Sequence, residues 1–510
     1  LKEVELVEYP ETVSARRREN PETNRVATLN TPAFVPTLGV LGGDAVQGDG
    51  IFKVTQLTPA SIRAEKTLSN GLTLVKEFTL GTNYLVLATV RMENHSTNTL
   101  SLPAQEWIVG TAAPMNRQDR GWQTTVGLMW YNGVGSKNIA DTYFANRTLG
   151  CFPGTPRAEY RADQTNIVWA AVHNQFFAMV LMPQNPAQNV VARKINLPPP
   201  TLEELLQNPR AIKNPAVFET ALIYPALTLT NHQSAQWEFS LFAGPKEYRT
   251  LARISSRFNN NADLIMGFGG FFGFFSKGLL LGMNWLHATL SLSYGLSIIV
   301  ITLIIKVLFW PLTQASTRSM KRMQALQPQI KAIQEKYKDD PMKVQRKTME
   351  LWKEHKVSPL GGCLPMLLQM PVFIGFFYMI RSAIELRGAS FLWVGDLSQP
   401  DTLFTIPGVN FPFNLLPLLM GATMLWQSHL TPPSPGMDPM QQKLMRYMPL
   451  MFLVILYNFS AGLTLYWTVQ NLLTIAQTKL TRMQTAAATS AAPVKAPHAA
   501  ILTPPKKKRK

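Results

Sequence analysis

Cysteine is almost absent: 510 residues carry two, Cys151 and Cys363. With the first half outside a membrane and Cys363 near its inner face, the two cannot pair, so the fold does not depend on a disulfide. Acidic charge runs out along the chain. Residues 1–263 hold 24 Lys+Arg against 22 Asp+Glu, whereas the remainder holds 25 against 9, and no acid follows Thr478. No GxxxxGK[ST] and no metal-ligand spacing occurs in the charged loops, which removes the usual signs of nucleotide hydrolysis and of a metal centre. The seven histidines are scattered and no acid/base pair stands at short range. No repeat of broken helices relates the apolar segments, as many transporters would show. The chain opens at Leu1 in LKEVELVEYPE, without a signal peptide; the expectation is that an upstream span has been lost or lies outside this sequence.

What is present divides sharply. Mean hydropathy of +0.01 averages two unlike halves, and a half that is both basic and apolar indicates a membrane-embedded region with cytosolic basic loops, not a DNA or other nucleic-acid binder. From about 25 to 250 the pattern is one of short strands broken by Pro and Gly. In TLVKEFTLGTNYLVLATVRMEN, residues 73–94, apolar residues alternate on either side of Gly81-Thr82-Asn83, predicting a hairpin. QWEFSLFAGPKEY, 236–248, places Trp237, Phe239 and Leu241 on one face before Gly244-Pro245 stops it. These features predict an all-β antiparallel sandwich over 25–255, preceded by a segment 1–24. NLPPPTLEELLQNPRAIKNP, 196–215, is an irregular excursion with one short helix.

Residues 256–293 read as a linker and an amphipathic helix. Within them FGGFFGFFSKGLLLGMNWLHATLS, 268–291, carries Lys277, Asn284 and Ser291 at heptad spacing, a narrow polar stripe suited to lying along the interface. The alternative is a sixth crossing, with SLSYG at 291–295 as the turn. A five-span core is expected over 294–480, with apolar segments at 297–313, 362–380, 415–429, 446–460 and 462–480. Residues 314–361 hold eleven basic residues against five acids, and 381–414 hold two against three. The positive-inside rule then puts the first loop and the tail 481–510 in the cytosol and the β domain outside. The loop 314–360 reads as two charged helices broken at Asp339-Asp340-Pro341, with Lys331/Glu335 as an i,i+4 pair. Met320, Met323, Met342 and Met349 supply pliable apolar contacts there.

Lys306 stands inside SIIVITLIIKVLFWPLT, 297–313. An ammonium within a spanning helix costs about 2.5–3.5 kcal/mol on insertion scales, so it needs a partner, water or an escape. About five residues separate it from Pro311, roughly 7–8 Å along a helix, so snorkelling to the inner interface is one reading. Lining a hydrated groove is the other. Polar residues available for such a groove are Thr302, Gln427, Ser428, Thr464, Thr468 and Asn471, with Tyr466 and Trp467 between the last; each also suits ordinary helix packing.

VSPLGGCLPMLLQMPVFIGFFYMI (357–380), MDPMQQKLMRYMPLMF (437–452) and SAGLTLYWTVQNLLTIAQ (460–477) together resemble the YidC/Oxa/Alb family of membrane protein insertases. The order of parts resembles it too. The resemblance implies a bacterial inner-membrane insertase and assembly factor, with no enzyme activity, cofactor or metal, that passes apolar client segments into lipid. It implies that the positive residue of the first core span, usually arginine, faces a groove open to cytosol and lipid and closed outside; lysine here is a departure that weakens bidentate capture of a carboxylate. The groove's polar residue on the 415–429 span matches either Gln427 or Ser428. Implied partners are nascent membrane proteins and the lipid bilayer, with the Sec translocon a candidate for the β domain. The tail cluster Lys506, Lys507, Lys508, Arg509 and Lys510 suits ribosomal RNA or anionic lipid, or serves only as a topology signal. A small-molecule transporter or channel is the competing class, and an external carbohydrate-active enzyme on an anchor the third.

Overall fold

A computed structural model describes the chain apart from residues 12, 14–24, 115–125, 147–153, 164, 208–214, 356, 358–363, 407, 409–410, 431–438 and 491–510. Cys151, Cys363 and the cluster Lys506–Lys510 therefore lie outside the described residues.

The first half folds as two large antiparallel sheets, with two two-stranded ribbons beside them. The larger runs, edge to edge, Ser136–Ala140, Gly127–Tyr131, Trp169–His173, Phe177–Pro183, Ser234–Pro245, Leu85–Asn94, Leu72–Leu80, Ser61–Thr67 and Lys53–Thr58. The smaller runs Glu159–Arg161, Asn189–Asn196, Ala216–Tyr224, Gln105–Ala112 and Val40–Leu41. The expected hairpin is present: Leu72–Leu80 pairs with Leu85–Asn94 in continuous register. Its alternation sends Val86, Ala88, Val90 and Met92 into the inter-sheet core and Leu85 to the outer face. At the centre, Trp107 is fully buried among Tyr224, Trp237 and Phe239, with ring centroids 5.0–5.6 Å away.

The segment before residue 25 is not separate from the sandwich. Val4–Pro10 pairs with Val26–Leu29, and Leu6 belongs to the core. Acidic residues hid this strand from a sequence reading because its outward positions are charged. The excursion after 196 does contain a short helix, Leu202–Gln207.

Helices follow. α1 (Tyr248–Phe258) packs on the outer face of the larger sheet, and α2 (Gly270–Leu290) is bent by 118° from α3 (Tyr294–Leu308). The bend is built by Ser291 at φ +52° and by Ser293, whose side chain accepts from the Leu296 amide at 3.3 Å. His287 stacks on Tyr294 across it, with centroids 4.1 Å apart. α4 (Trp310–Ala325), α5 (Gln327–Lys336) and α6 (Pro341–Glu354) form the basic loop. Here three helices replace the expected two. Pro328 has no amide to continue α4, so the chain breaks at Leu326. Asp340 caps α6, accepting from the Lys343 amide at 3.0 Å. Among the described residues of this loop, Glu350 and not Glu335 carries the ion pairs, with Arg346 at 3.5 Å and Lys347 at 2.5 Å; exposed pairs gain too little to fix Lys331 on Glu335.

α7 (Leu364–Ser382), α8 (Leu415–Leu430), α9 (Pro439–Leu456) and α10 (Ala461–Ser490) complete the helical region. They occupy the stretches expected to be spans. Among the described residues no single helix is long and apolar enough to cross a membrane; α2 and α3 reach that measure only together. The span at 297–313 divides at Phe309 because Pro311 sits at the start of α4.

One apolar cluster ties sheet to helices. It runs from Trp169, Val180 and Phe242 through Leu251, Ile254, Ile265 and Met266 to Leu280, Met283 and Phe376. Polar contacts reinforce the seam: Trp169 Nε1 donates to Asn260 O at 2.7 Å and Arg387 donates to Pro10 O at 2.6 Å, while within the helical region Asn284 Nδ2 donates to Glu385 Oε1 at 2.8 Å. Lys246, at the exit of the last strand, is buried with its Nζ 3.2 Å from Nδ1 of His173, whose Nε2 lies 3.1 Å from Asn138 Oδ1. Burial, and then the charge of Arg381, lower the Lys246 ammonium to about 7. Burial and the neighbouring Lys246 charge also push His173 well below its ordinary value.

Between the folded value of about 7 and the ordinary 10.5, the unfolded chain binds the proton that the folded chain has released. Stability contributed by this group therefore rises with pH across that window and is lowest below it, where both states are charged and the fold holds an ammonium in the interior. Lys246→Met should remove that slope. Melting temperatures of wild type and Lys246→Met, measured from pH 6.5 to 9.5, are expected to differ in favour of the variant at the acid end and to converge as pH rises; parallel curves would contradict the assignment.

Candidate functional site

α3 is apolar on the sides that face outward, with Leu303, Ile304, Val307 and Leu308 exposed, while its buried side mixes Ile298 and Ile301 with polar residues. Ser297, Thr302 and Lys306 are all on that inner side. Thr302 donates to Ile298 O at 2.6 Å, within its own helix, so its hydroxyl is already satisfied. Lys306 is different. Only 8% exposed, it crosses to α10 and donates from Nζ to Thr474 Oγ1 at 2.8 Å. A neutral hydroxyl supplies one of three acceptors an ammonium can use, so the charge keeps capacity for water or an anion.

That capacity opens on a small cavity. About 20 Å³ in volume, it is lined by Ile305, Lys306, Phe309 and Thr313 from the α3–α4 side, by Leu368, Gln369 and Val372 of α7, and by Tyr466 and Gln470 of α10. The volume suits about one water, and the amides and ammonium give it polar partners. Two turns further along, Gln477 Nε2 donates to Thr313 Oγ1 at 2.7 Å. A polar seam thus joins α3 and α4 to one face of α10 through Lys306–Thr474 and Gln477–Thr313.

The residues expected to line a groove separate into groups. Tyr466 joins the Lys306 cavity, stacked on Phe376 at 4.1 Å. Trp467 packs edge-on against Phe373 at 4.5 Å and beside Phe452 at 5.6 Å, an apolar knot with α7 and α9. Thr464 and Thr468 are buried and bonded to backbone carbonyls one turn earlier. Asn471 turns to α8, where its Nδ2 donates to Thr423 Oγ1 at 3.1 Å. Gln427 and Ser428 are half-buried on α8, and Ser428 donates to Leu425 O at 2.8 Å; neither lines the Lys306 cavity. Thr464, Thr468 and Asn471 thus form a stripe beside the seam instead of part of it.

Sequence reasoning missed Gln470, Thr474, Gln477, Thr313 and Gln369. A signal existed: Gln470, Thr474 and Gln477 recur at spacings of four and three on α10, the repeat of one helix face. Of the four methionines, Met342 and Met349 are exposed on α6 and Met320 is half-buried, whereas Met323 is committed to the loop's own core with Leu326, Ile330 and Leu351.

A β-rich domain joined through one apolar cluster to a helical region, with Lys306 buried in a polar seam between helices, defines the class by its architecture. Comparison makes the class specific. The family model described as YidC periplasmic domain matches residues 1–281, and that described as 60Kd inner membrane protein matches 285–488. The membrane protein insertase YidC of Neisseria meningitidis is 35% identical over 418 residues, covering 82% of this chain and 71% of that protein. That of Paraburkholderia xenovorans is 31% identical over 472 residues, 90% of this chain and 77% of the relative. The Pelobacter propionicus protein reaches 44% over 268 residues, 52% of this chain and 48% of its own. The chain belongs to the YidC family of membrane protein insertases. Among solved structures, an active YidC insertase with its first transmembrane domain resolved shares 19% identity at a TM-score of 0.35 over 84% of this chain and 82% of its own. Thermotoga maritima YidC shares 13% at 0.29, over 90% and 88%. At those scores the assignment rests on the sequence matches.

Thr474→Val removes the acceptor of the buried ammonium, an interaction worth about 1.5–3 kcal/mol for a charged donor, while Thr474→Ser keeps it. The expected outcome is a lower melting temperature for Val and a wild-type value for Ser in detergent solution. Equal melting of all three would mean that water or another group serves Lys306.

Proposed function

We propose that the chain inserts membrane proteins by offering a client's polar flank the seam around Lys306 while its apolar segment passes sideways into lipid. In this reading α3, α7, α8, α9 and α10 are the five crossings, α2 lies along the interface, α4–α6 are cytosolic and the β domain is periplasmic, as the loop charges indicate. The protein is not an enzyme: nothing is made or broken, and burial of about twenty apolar client residues drives the transfer without ATP.

The observation that carries the reading is the buried Lys306 ammonium, bonded to Thr474 beside a cavity that it shares with Gln369 and Gln470. A polar flank crossing about 30 Å of hydrocarbon loses its water. A cation and amides partway across return part of that solvation, and an acidic flank gains attraction as well. With room for about one water, the seam must widen as a client enters, by parting of α3 from α7 and α10. The short reach from Nζ to Thr474 argues against snorkelling, because the side chain is extended across to a neighbouring helix. Exposed Met342 and Met349 are assigned to client contact on the cytosolic side. The β domain is read as a packing or binding module with the Sec translocon as candidate partner, and Lys506–Lys510 as a contact for ribosomal RNA or anionic lipid.

Proteoliposomes carrying wild type, Lys306→Arg or Lys306→Ala at equal protein levels, given a short single-span client with an acidic outer flank, test this. Arg is expected to retain insertion and Ala to lower it several-fold. Equal insertion by all three would remove Lys306 from the working path, and none above empty liposomes would remove the insertase reading.

A further inference from the structure

Between α7 and α8 the chain forms a two-stranded hairpin, Thr402–Ile406 with Phe411–Asn414. Cross-strand pairing sets Phe404 opposite Phe413 and Ile406 opposite Phe411, so one face of the hairpin is wholly apolar. Phe404 and Phe413 stack at 4.9 Å. Yet Phe404 is 51% exposed, Phe411 45% and Ile406 38%. A small soluble loop does not ordinarily hold stacked phenylalanines open to water.

The hairpin is held rigidly. Phe411 stacks on Tyr457, just past α9, at 5.1 Å; Tyr457 OH donates to Pro412 O at 2.8 Å, and Asn414 Nδ2 donates to Tyr457 O at 2.9 Å. At its base, one oxygen of Asp401 accepts from the Leu416 amide at 2.6 Å and from Trp393 Nε1 at 3.1 Å. The apolar face is thus fixed at the end of α8 and α9.

Length and charge identify what covers it. α8 has 16 residues, about 24 Å of helix against about 30 Å of hydrocarbon. Upstream of it the sequence stays uncharged: no Asp, Glu, Lys or Arg occurs from Thr402 to Ser428. The apolar surface needed at this end of α8 therefore continues into the hairpin.

We propose that the Thr402–Asn414 hairpin is a lipid-binding element that lies in the headgroup and upper acyl region of the outer leaflet, with Phe404, Ile406 and Phe411 facing lipid. Its depth is limited to that boundary, because the outer edges of a two-stranded sheet leave backbone groups that need water. Aromatic rings are favoured at this depth. The hairpin then fixes the height of α8 and α9 in the bilayer and compensates for the shortness of α8. The inference rests on the reading of α8 and α9 as spans.

The test uses the full chain with Cys151 and Cys363 replaced by serine, and single cysteines introduced as Phe404→Cys, Ile406→Cys, Val54→Cys or Val454→Cys. Each is spin-labelled in phosphatidylcholine/phosphatidylglycerol liposomes and read by collision with oxygen, which favours lipid, and with a nickel chelate, which stays in water. Val54 lies on the exposed edge strand of the β domain, and Val454 is 77% exposed on α9. Labels at 404 and 406 are expected to show an oxygen-to-nickel ratio several-fold above that at 54. A ratio equal to that at 54, while 454 reports lipid, overturns the hairpin proposal alone. Shielding from both probes, the mark of a protein covering the face, also overturns it. If 454 itself reports water, the spanning reading fails, and the hairpin proposal with it.

Discussion

An ammonium buried in an apolar helix has to be answered by its surroundings. Lys306 sits on a helix whose outward residues are aliphatic, and its Nζ meets a threonine hydroxyl across the gap to α10. One neutral acceptor is a thin response to a full charge. The neighbouring amides of Gln369 and Gln470 and the small cavity between them follow from that need, and so does the interruption of packing at this one place between α3, α7 and α10. Elsewhere among the described residues the helices meet chiefly through aromatic stacks and aliphatic packing, with the Asn471–Thr423 bond a polar exception; in the proposed mechanism the seam is where a polar client segment enters.

The β domain constrains how far the helices can move. A continuous apolar cluster joins the outer face of the larger sheet to α1, α2 and α7, and Arg387 adds a polar tie on the same side through Pro10 O. Opening of the seam is therefore expected at the other end, toward α4–α6, whose loop packs on a small core of its own. That asymmetry suits a groove open on the basic side and sealed on the side of the sheets.

Much of this was legible in the sequence. The alternation in 73–94, the Gly244-Pro245 stop and the Asp340-Pro341 helix start each correspond to an element in place, because each rests on local backbone chemistry. Leu6 and its strand were hidden by acidic neighbours. The seam was only half legible: Lys306 announced itself by being charged where nothing else is, but its partner Thr474 is one of several threonines on α10. Which of them faces α3 depends on the rotation of that helix, and rotation is set by tertiary packing such as Tyr466 on Phe376. For the same reason Thr464, Thr468 and Asn471 lie off the seam, the two threonines bonded to their own backbone and Asn471 to Thr423 of α8. Gln427 and Ser428 lie away from the cavity because its walls come from α3, α4, α7 and α10, with no residue of α8 among them.

The central claim is that the seam takes up water from one side of the membrane only. Gln470→Cys in the full chain lacking Cys151 and Cys363, reconstituted in vesicles of known orientation and exposed to a membrane-impermeant maleimide from either face, tests it most directly. Modification from the side of the basic loop alone is the expected result. Modification from both sides would indicate a continuous path and a channel, and modification from neither would make the Lys306–Thr474 contact a dry packing feature; each would contradict the proposed function.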